Sequence, residues 1–301
     1  MSQGQLPRAA VLVLLVLCVL WGGNMVAIKV SVEGVAPLFS AGLRSLVAGL
    51  CVWVWMRARG VPVLPPGRPA VLGHGVAVGL LFGLEFGFIY LGLLHTEASR
   101  GVILLYTHPF FVALGAHLFL TGDRLHPVKA AGLVLAFAGV ASLFAQGWGA
   151  TSRETLPGDL SVLLGAALWG ATTLYIKRFL VGRAGPLQVL FYQLAFSAPV
   201  LLVWSALLED RVWIGVTPAV ALSLAYQCFV VAFLSYIVWF EMIERYSVSL
   251  LAAFTFFAPV FGVFLSVMLL PGETLRVTLL VALGLVCTGM VLVNRPPRRS
   301  A

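Results

Sequence analysis

The sequence has few charged residues: Asp, Glu, Lys and Arg make up only 10% of its 301 residues, whereas 61% are hydrophobic and the mean hydropathy is +1.03. Soluble domains have about 25% charged residues, so this composition excludes a water-soluble protein. A helix that spans a membrane needs about 20 mainly apolar residues. The chain is therefore long enough for roughly ten such helices and leaves little for a soluble domain.

The sequence also lacks the motifs of metalloproteins, disulfide-rich proteins and enzymes. Its four cysteines lie in apolar runs without CxxC spacing, which favours packing roles over a disulfide or metal site. There is no HExxH zinc motif, no GxSxG nucleophile elbow and no pair of intramembrane Asp residues. We therefore predict no catalytic residue, metal or cofactor. The net charge of +8 is not gathered into a patch with exposed aromatics, which argues against nucleic acid.

Apolar runs between charged or Pro- and Gly-rich breaks predict ten spanning helices. The first five are predicted near residues 9–32, 35–56, 70–94, 98–120 and 126–146. The second five are predicted near residues 157–178, 186–208, 217–240, 247–270 and 275–293. The first run continues as WGGNMVAIKV without a small-x-small cleavage site, so we expect an uncleaved span rather than a signal peptide. The segment QGWGATSRETLP at 146–157 is typical of a loop.

Lysine and arginine are distributed unevenly between the two sides of this topology. Thirteen of them lie on the side of the two termini, against four on the other side. Those four are Arg100, Arg153, Arg211 and Arg276. Because cytoplasmic loops carry an excess of these residues, we predict that both termini are cytoplasmic and that the protein crosses the bacterial inner membrane many times.

The two halves of the chain resemble each other. Trp21-Gly22 with Ile28-Lys29 recurs 148 residues later as Trp169-Gly170 with Ile176-Lys177. A second ordered series recurs at an offset of 150: Ser99, Pro109, Phe111, Gly122-Asp123, Leu125 and Gly139 match Ser249, Pro259, Phe261, Gly272-Glu273, Leu275 and Gly289. Residues 1–150 and 151–301 are therefore predicted to be two five-helix repeats.

Five spans is an odd number, so the second repeat must enter the membrane from the opposite side, and the repeats are inverted. Two similar halves of opposite orientation can open one central site to either side in turn, which indicates a transporter. The alternative is a duplication that built only a symmetric scaffold or receptor. The predicted fold class is thus an all-α membrane protein with ten helices in two inverted repeats.

Several of these segments resemble a known family. WGGNMVAIK at 21–29, GDRLHPVKAAGLVLAFAGV after Pro109, and GETL with GLVCTGMVLV after Pro259 are similar to the paired EamA repeats of the drug/metabolite transporter superfamily. The resemblance covers essentially the whole chain. It implies a central cavity lined mainly by spans 1, 3, 4, 6, 8 and 9, with the fifth and tenth spans at the periphery.

Within the superfamily, the sequence looks most similar to bacterial exporters of aromatic amino acids. That implies export of large or aromatic amino acids and related small metabolites by alternating access. A multidrug exporter and an exchanger of phosphorylated metabolites are the alternatives, although the latter would favour several buried cations. Proton coupling and assembly into a homodimer stay open.

Glu85 is the one carboxylate near the centre of any predicted span, where charged groups are costly and tend to mark function. Gly75, Gly79, Gly83 and Gly87 recur every fourth residue and predict close packing against a neighbouring helix. With 3.6 residues per turn, Glu85 points roughly 200° away from this stripe. We expect it to face another helix or the cavity, where it would bind a substrate ammonium, carry a coupling proton or hydrogen-bond inside the bundle.

The other candidate cavity residues are aromatic and polar side chains within spans 1, 4, 6 and 8. They are Trp21, Asn24, Tyr106, Trp169, Thr173, Tyr226 and Gln227. Indole rings offer stacking area and a donor, while amides and hydroxyls offer both donors and acceptors for a zwitterion or a ring. Packing or bonding between helices is the alternative role.

Pro109 and Pro259 occupy equivalent positions in spans 4 and 9, where each removes a backbone hydrogen bond and is expected to bend its helix. Such a bend is either a hinge for gating or a static kink. His108, beside Pro109, is expected to be a buried histidine with satisfied hydrogen bonds. Three cations inside the predicted spans are expected to reach the lipid headgroups as anchors: Lys29, Arg44 and Lys177.

Overall fold

The computed structural model describes residues 7–119, 127–145, 150–246, 255 and 257–293. In the first repeat, the described residues form α1 (Arg8–Ser31), α2 (Pro37–Ala58), α3 (Val71–His95), α4 (Ala98–Leu105), α5 (His108–Phe119) and α6 (Pro127–Ala145). In the second repeat, they form α7 (Ala150–Phe179), α8 (Pro186–Leu208), α9 (Pro218–Ala225), a π-helical segment (Tyr226–Ser235), α10 (Tyr236–Arg245), α11 (Phe257–Leu269) and α12 (Val277–Val293).

These helices account for all ten predicted spans and confirm the all-α fold class. α4 and α5 together form the fourth span, and α9, the π-helical segment and α10 form the eighth. Within the described part of the chain, six helices are long and apolar enough to cross a membrane, and the shorter apolar segments belong to α6, α11 and α12.

The outer surface of the bundle is apolar. Large hydrophobic side chains such as Leu12, Leu207 and Leu222 are 64%, 76% and 72% exposed. A water-soluble protein rarely exposes so many such side chains together, whereas lipid tails are as apolar as leucine. The bundle is therefore built to be surrounded by a bilayer.

The helices of the two repeats pack in symmetric pairs. α1 packs against α11, which belongs to span 9, and its counterpart α7 packs against α4 and α5, which form span 4. In the same way, α2 packs against the π-helical segment of span 8, and its counterpart α8 packs against α3, which is span 3. A Cβ atom added to Gly22 would lie 2.6 Å from the backbone nitrogen of Gly262, and one added to Gly170 would lie 3.3 Å from that of Val112. These positions correspond under the repeat offsets of 148 and 150, so the close approaches repeat as well.

The glycine stripe of α3 packs against α8, as predicted. A Cβ atom added to Gly79 would lie only 2.3 Å from Cβ of Phe196, and one added to Gly87 only 2.3 Å from the ring of Trp204. Without side chains on this face, the two backbones approach closely enough for extensive packing contacts. Glu85 therefore lies on a different face of α3 from the one that contacts α8.

Three features depart from the predicted spans. α7 begins at Ala150 and continues through Pro157, so the predicted loop is wrong for 150–157: Pro157 removes one backbone hydrogen bond, and the other bonds of this 30-residue helix outweigh that loss. The fourth span is interrupted at residues 106–107, directly before the His108-Pro109 pair. The eighth span contains the ten-residue π-helical segment, which hydrophobic periodicity does not reveal.

Connections predicted to lie on one side of the membrane meet in the structure. At one end, the backbone N–H of Ala36 donates to the carbonyl of Val212 at 2.9 Å. At the other end, the Arg68 side chain donates to the carbonyl of Gly182 at 2.6 Å. The ten-span alternation therefore fits these contacts, while the cytoplasmic location of the termini stays a prediction.

Candidate functional site

Arg44 is a buried cation in the interior of the bundle. It lies seven residues into α2, about 10 Å from the end of the helix at 1.5 Å per residue, and it is 0% exposed. The expectation that Arg44 reaches the headgroups is therefore wrong. The reason is its position on α2: the side chain points towards α3 and α10, so it has no path to the membrane surface.

The guanidinium of Arg44 lies between equivalent positions of the two repeats. Its Cζ is 3.9 Å from the ring centroid of Phe86, and its Nη2 donates to the hydroxyl of Tyr236 at 3.4 Å. Phe86 and Tyr236 are separated by the repeat offset of 150. Arg44 thus contacts one residue and its symmetry counterpart, which places its charge close to the axis that relates the repeats.

Two donors of Arg44 are unused. Its Nε and Nη1 are buried and have no hydrogen-bond partner among the described residues. A buried guanidinium normally pairs with a carboxylate or phosphate, because both geometries match its planar fork. The donors that remain are therefore available to an acceptor of that shape.

Glu85 supplies a carboxylate next to this cation. It lies ten residues from the end of α3, about 15 Å along the helix and so near the middle of a roughly 30 Å hydrocarbon core. It is 2% exposed, which confirms that it does not face lipid, and its Oε2 has no partner among the described residues. Arg44 and Glu85 interact electrostatically, but no ion pair within 4 Å joins these two side chains.

Tyr90 and Gln227 complete what we call the central cluster: Arg44, Glu85, Tyr90, Gln227 and Tyr236. The hydroxyl of Tyr90 donates to Oε1 of Gln227, whose Nε2 donates to the carbonyl of Ala27 at 3.0 Å. These bonds join α3, the π-helical segment and α1. Gln227 is therefore held by interhelical bonds, the alternative role considered for it, and it fixes one side of the cluster.

An aromatic wall of Tyr106, His108 and Trp169 stands beside the break between α4 and α5. The rings of His108 and Trp169 stack with centroids 3.7 Å apart, and Tyr106 meets Trp169 edge-on at 6.1 Å. The Nδ1 of His108 is buried and has no well-aligned hydrogen-bond partner among the described residues, although the imidazole also interacts with the backbone of Leu105. The predicted burial of this histidine therefore holds, and its hydrogen bonding is incomplete.

Tyr236 and the residue before it link the central cluster to Trp21. The hydroxyl of Tyr236 accepts the hydrogen bond from Arg44 described above. The preceding residue, Ser235, accepts a hydrogen bond from Nε1 of Trp21 at 2.9 Å. Ser235 and Glu85 are separated by the repeat offset of 150, so Glu85 stands where the other repeat places a neutral hydroxyl.

The other predicted cavity residues fall into two groups. Thr173 and Tyr226 both use their hydroxyls within the bundle: Thr173 donates to the carbonyl of Trp169 in its own helix at 2.9 Å, and Tyr226 donates to that of Leu20 in α1 at 2.7 Å. Asn24 is buried, and its Oδ1 has no partner among the described residues. Asn24 thus keeps an unused acceptor within the bundle, whereas Thr173 and Tyr226 support helix packing.

The proline positions are partly visible. Pro109 is the second residue of α5 and follows the break at 106–107, so span 4 is interrupted directly before the proline that was predicted to bend it. Pro259 is the third residue of α11, and residues 247–254 and 256 of span 9 lie outside the described residues. The gating role of both prolines stays a prediction.

Lys29 is also not the predicted headgroup anchor. Its Nζ donates to the carbonyls of Leu93 and Thr96 at the end of α3, the latter at 2.7 Å. These carbonyls have no partner further along their own helix, so the ammonium acts as a cap. Lys177, the corresponding residue in the second repeat, is exposed at the end of α7.

None of the four cysteines forms a disulfide, and Cys18 and Cys228 are buried among the helices. Among the described residues, no group of three or more His, Cys, Asp or Glu side chains is placed to hold a metal ion.

Known proteins resemble this chain over its whole length. An "Uncharacterized transporter YvbV" of Bacillus subtilis is 29% identical over 96% of this chain and 93% of its own. A "Probable amino-acid metabolite efflux pump" is 29% identical in Salmonella typhimurium (92% and 91% covered) and 29% identical in Escherichia coli (94% and 93% covered).

A crystal structure that is 24% identical superposes with a TM-score of 0.65, covering 95% of this chain and 98% of that one, which supports the fold. The EamA-like transporter family matches the chain twice, over residues 8–145 and again over residues 156–295. The two matches correspond to the two five-helix repeats seen in the packing. The chain therefore belongs to the EamA-like transporter family.

Proposed function

We propose that the protein exports amino acids, chiefly aromatic or other large ones, and related small metabolites by alternating access. The observation that carries this proposal is the central cluster, where a guanidinium and a carboxylate with unused hydrogen-bonding atoms are buried between inverted repeats. Transporters of this design typically bind substrate near the middle of the bilayer at the repeat interface. The names of the Salmonella and Escherichia coli relatives support an amino-acid metabolite as the substrate.

The preference for large side chains is supported by the aromatic wall. The rings of Tyr106 and Trp169 meet edge-on at 6.1 Å, and aromatic pairs contribute about 0.5–1.5 kcal/mol beyond area burial. The resemblance of the sequence motifs to bacterial exporters of aromatic amino acids favours the same preference. In this proposal, Glu85, Trp21 and Trp169 line the cavity, and Pro109 and Pro259 act as hinges.

Phosphorylated metabolites fit the buried charges less well. Of the two buried arginines in the described chain, Arg100 is paired with Asp159. Arg44 has no carboxylate within 4 Å and is the one that a phosphate could reach. Lys29 already donates to two backbone carbonyls. A phosphate dianion would thus meet one available guanidinium together with the like charge of Glu85. The carboxylate of Glu85 would attract a cationic drug, but the positive charge of Arg44 would repel it.

Transport by purified protein in liposomes tests the substrate class. We expect uptake of labelled phenylalanine that unlabelled phenylalanine and tryptophan inhibit, and little uptake of glycerol phosphate or of a lipophilic cation. Repeating the assay with a pH gradient tests proton coupling, and the mass of the protein in nanodiscs tests the homodimer. Protein that carries the phosphate or the cation but no amino acid would overturn the proposal.

A growth assay tests the direction of transport and the site. Bacteria that express the protein should survive higher concentrations of a toxic phenylalanine analogue such as 4-fluorophenylalanine. Glu85→Gln keeps the volume and removes the charge, so we expect this protection to fall at equal amounts of folded protein. Glu154→Gln is the matched control, because Glu154 is exposed on α7. Equal protection by the Glu85 variant and wild type would remove Glu85 from the site.

A further inference from the structure

The central cluster contains one buried cation and one buried anion that are not paired with each other. Arg44 and Glu85 are its two oppositely charged side chains, one on each of two neighbouring spans, and both are almost fully buried. The guanidinium of Arg44 lies over the ring of Phe86, the residue that follows Glu85, at 3.9 Å from its centroid, and no ion pair within 4 Å joins Arg44 to Glu85. Each also keeps at least one buried polar atom without a partner in the described chain: Nε and Nη1 of Arg44 and Oε2 of Glu85.

Burying two charges that do not satisfy each other is costly. A buried ion that has lost its hydration without gaining a full set of partners destabilises the fold. The ring of Phe86 and the hydroxyl of Tyr236 compensate part of this cost for Arg44. Nε and Nη1 of Arg44 have no hydrogen-bond partner in the described chain, and a ligand that bonds to them would stabilise the bound state.

The ligand that complements both ions must carry a planar acceptor and a donor cation close together. The α-carbon of an amino acid has this combination: its carboxylate offers two oxygens for the Arg44 fork, and its ammonium offers three donors for Glu85. The ligand is neutral overall, so the occupied cluster also has no net charge. A simple amine would leave Arg44 unsatisfied, and a simple carboxylate would leave Glu85 unsatisfied.

We propose that Arg44 and Glu85 form a two-point clamp for the zwitterionic α-amino acid group, with Arg44 binding the carboxylate and Glu85 binding the ammonium. This inference rests on the proposed function and adds how the substrate class is selected. In this proposal the substrate side chain extends from the clamp towards the aromatic wall, where Tyr106 and Trp169 meet edge-on at 6.1 Å. The clamp recognises what all amino acids share, and the aromatic wall favours large side chains.

The first test changes the ligand and leaves the protein intact. Counterflow of labelled phenylalanine is measured in liposomes with purified protein, and three unlabelled competitors are compared: phenylalanine, phenethylamine without the carboxylate, and 3-phenylpropionate without the ammonium. Hydrogen bonds to charged groups contribute enough that losing one point of the clamp should weaken competition about 10- to 100-fold. Equal competition by all three would overturn the clamp while the proposed function stands.

The second test changes the protein. Arg44→Gln should remove the advantage of phenylalanine over phenethylamine, and Glu85→Gln should remove its advantage over 3-phenylpropionate. Arg44→Lys, which keeps the charge but not the fork, should fall between the wild type and Arg44→Gln. Arg57→Gln is the matched control, because Arg57 is exposed on the same helix. A proportional loss of all three ligands in either variant would mean that the residue acts on packing only, and would overturn the clamp.

The two proposals fail in different ways. Wild-type protein that exchanges no amino acid but does carry another solute overturns the proposed function, and the clamp falls with it. If the Arg44 or Glu85 variants do not yield folded protein, as judged by size-exclusion profiles, the comparison of the three competitors on wild-type protein still decides the clamp.

Discussion

Asp159 and Arg100 form a buried ion pair that joins the two repeats, and removing one partner should destabilise the fold. Arg100 on α4 is 8% exposed, and Asp159 on α7 is 1% exposed. The carboxylate also accepts a hydrogen bond from the Thr96 hydroxyl at 2.5 Å and another from Nε of Arg100 at 3.3 Å. The Asp159→Asn substitution keeps the volume but takes away the counter-charge.

The expected loss is about 3–5 kcal/mol of unfolding free energy, since truncating a buried pair leaves an uncompensated ion. The exposed pair Arg276–Glu97 gives the contrast: its N–O distance is 3.0 Å, with side chains 50% and 27% exposed. Such surface pairs contribute about 0.2–1 kcal/mol. Glu97→Gln should therefore change stability by less than about 1 kcal/mol, even though it removes a carboxylate from the same end of the bundle.

Unfolding in mixed detergent and SDS micelles, followed by circular dichroism, measures both variants. A third variant, Asp159→Asn with Arg100→Met, should recover part of the stability, because an apolar side chain can replace a buried charge. If Asp159→Asn is as stable as wild type, or if the double variant is less stable than Asp159→Asn alone, the pair is not what stabilises this contact between repeats.

Three further outcomes are expected. Gly79→Ala should lower the unfolding free energy by about 1–3 kcal/mol, because the new Cβ would lie 2.3 Å from Cβ of Phe196; Gly73→Ala, with nothing within 4 Å, should not. Arg153→Cys, in a cysteine-free background, should react with an impermeant maleimide in intact cells, and labelling only after permeabilisation would refute the topology. Trp169→Ala should weaken competition by phenylalanine by about 1 kcal/mol, roughly fivefold, with less effect on alanine; an equal loss for both would contradict a ring-stacking role.

The spans and the glycine stripe followed from sequence patterns because both depend on local spacing. Four glycines at intervals of four residues must share one face of a helix, and that face was found against Phe196 and Trp204 of α8. The depth of Glu85 followed in the same way, from its distance to the ends of an apolar run. The shared face of the glycines and the depth of Glu85 are predicted correctly even if a span boundary is misplaced by a few residues.

Arg44 was misjudged for a different reason. Its depth in the span was visible, and a cation about 10 Å inside a membrane helix is a signal of function in itself. The sequence did not show that Phe86 and Tyr236, which lie far apart along the chain, meet around it. Nor did it show the π-helical segment that ends directly before Tyr236, because a change in helical register leaves no trace in hydropathy.

The apolar runs and the recurring motifs predict the number of spans, the twofold repetition and hence the inverted architecture, because both can be counted along the chain. Which polar atoms gain a hydrogen-bond partner depends on how the helices pack. Thr173 and Gln227 found partners, whereas Arg44, Glu85 and Asn24 kept unused atoms. The physical reason is rotation: each residue turns a helix by about 100°, so the direction of a side chain, and the helix it meets, is fixed only when all the helices have packed.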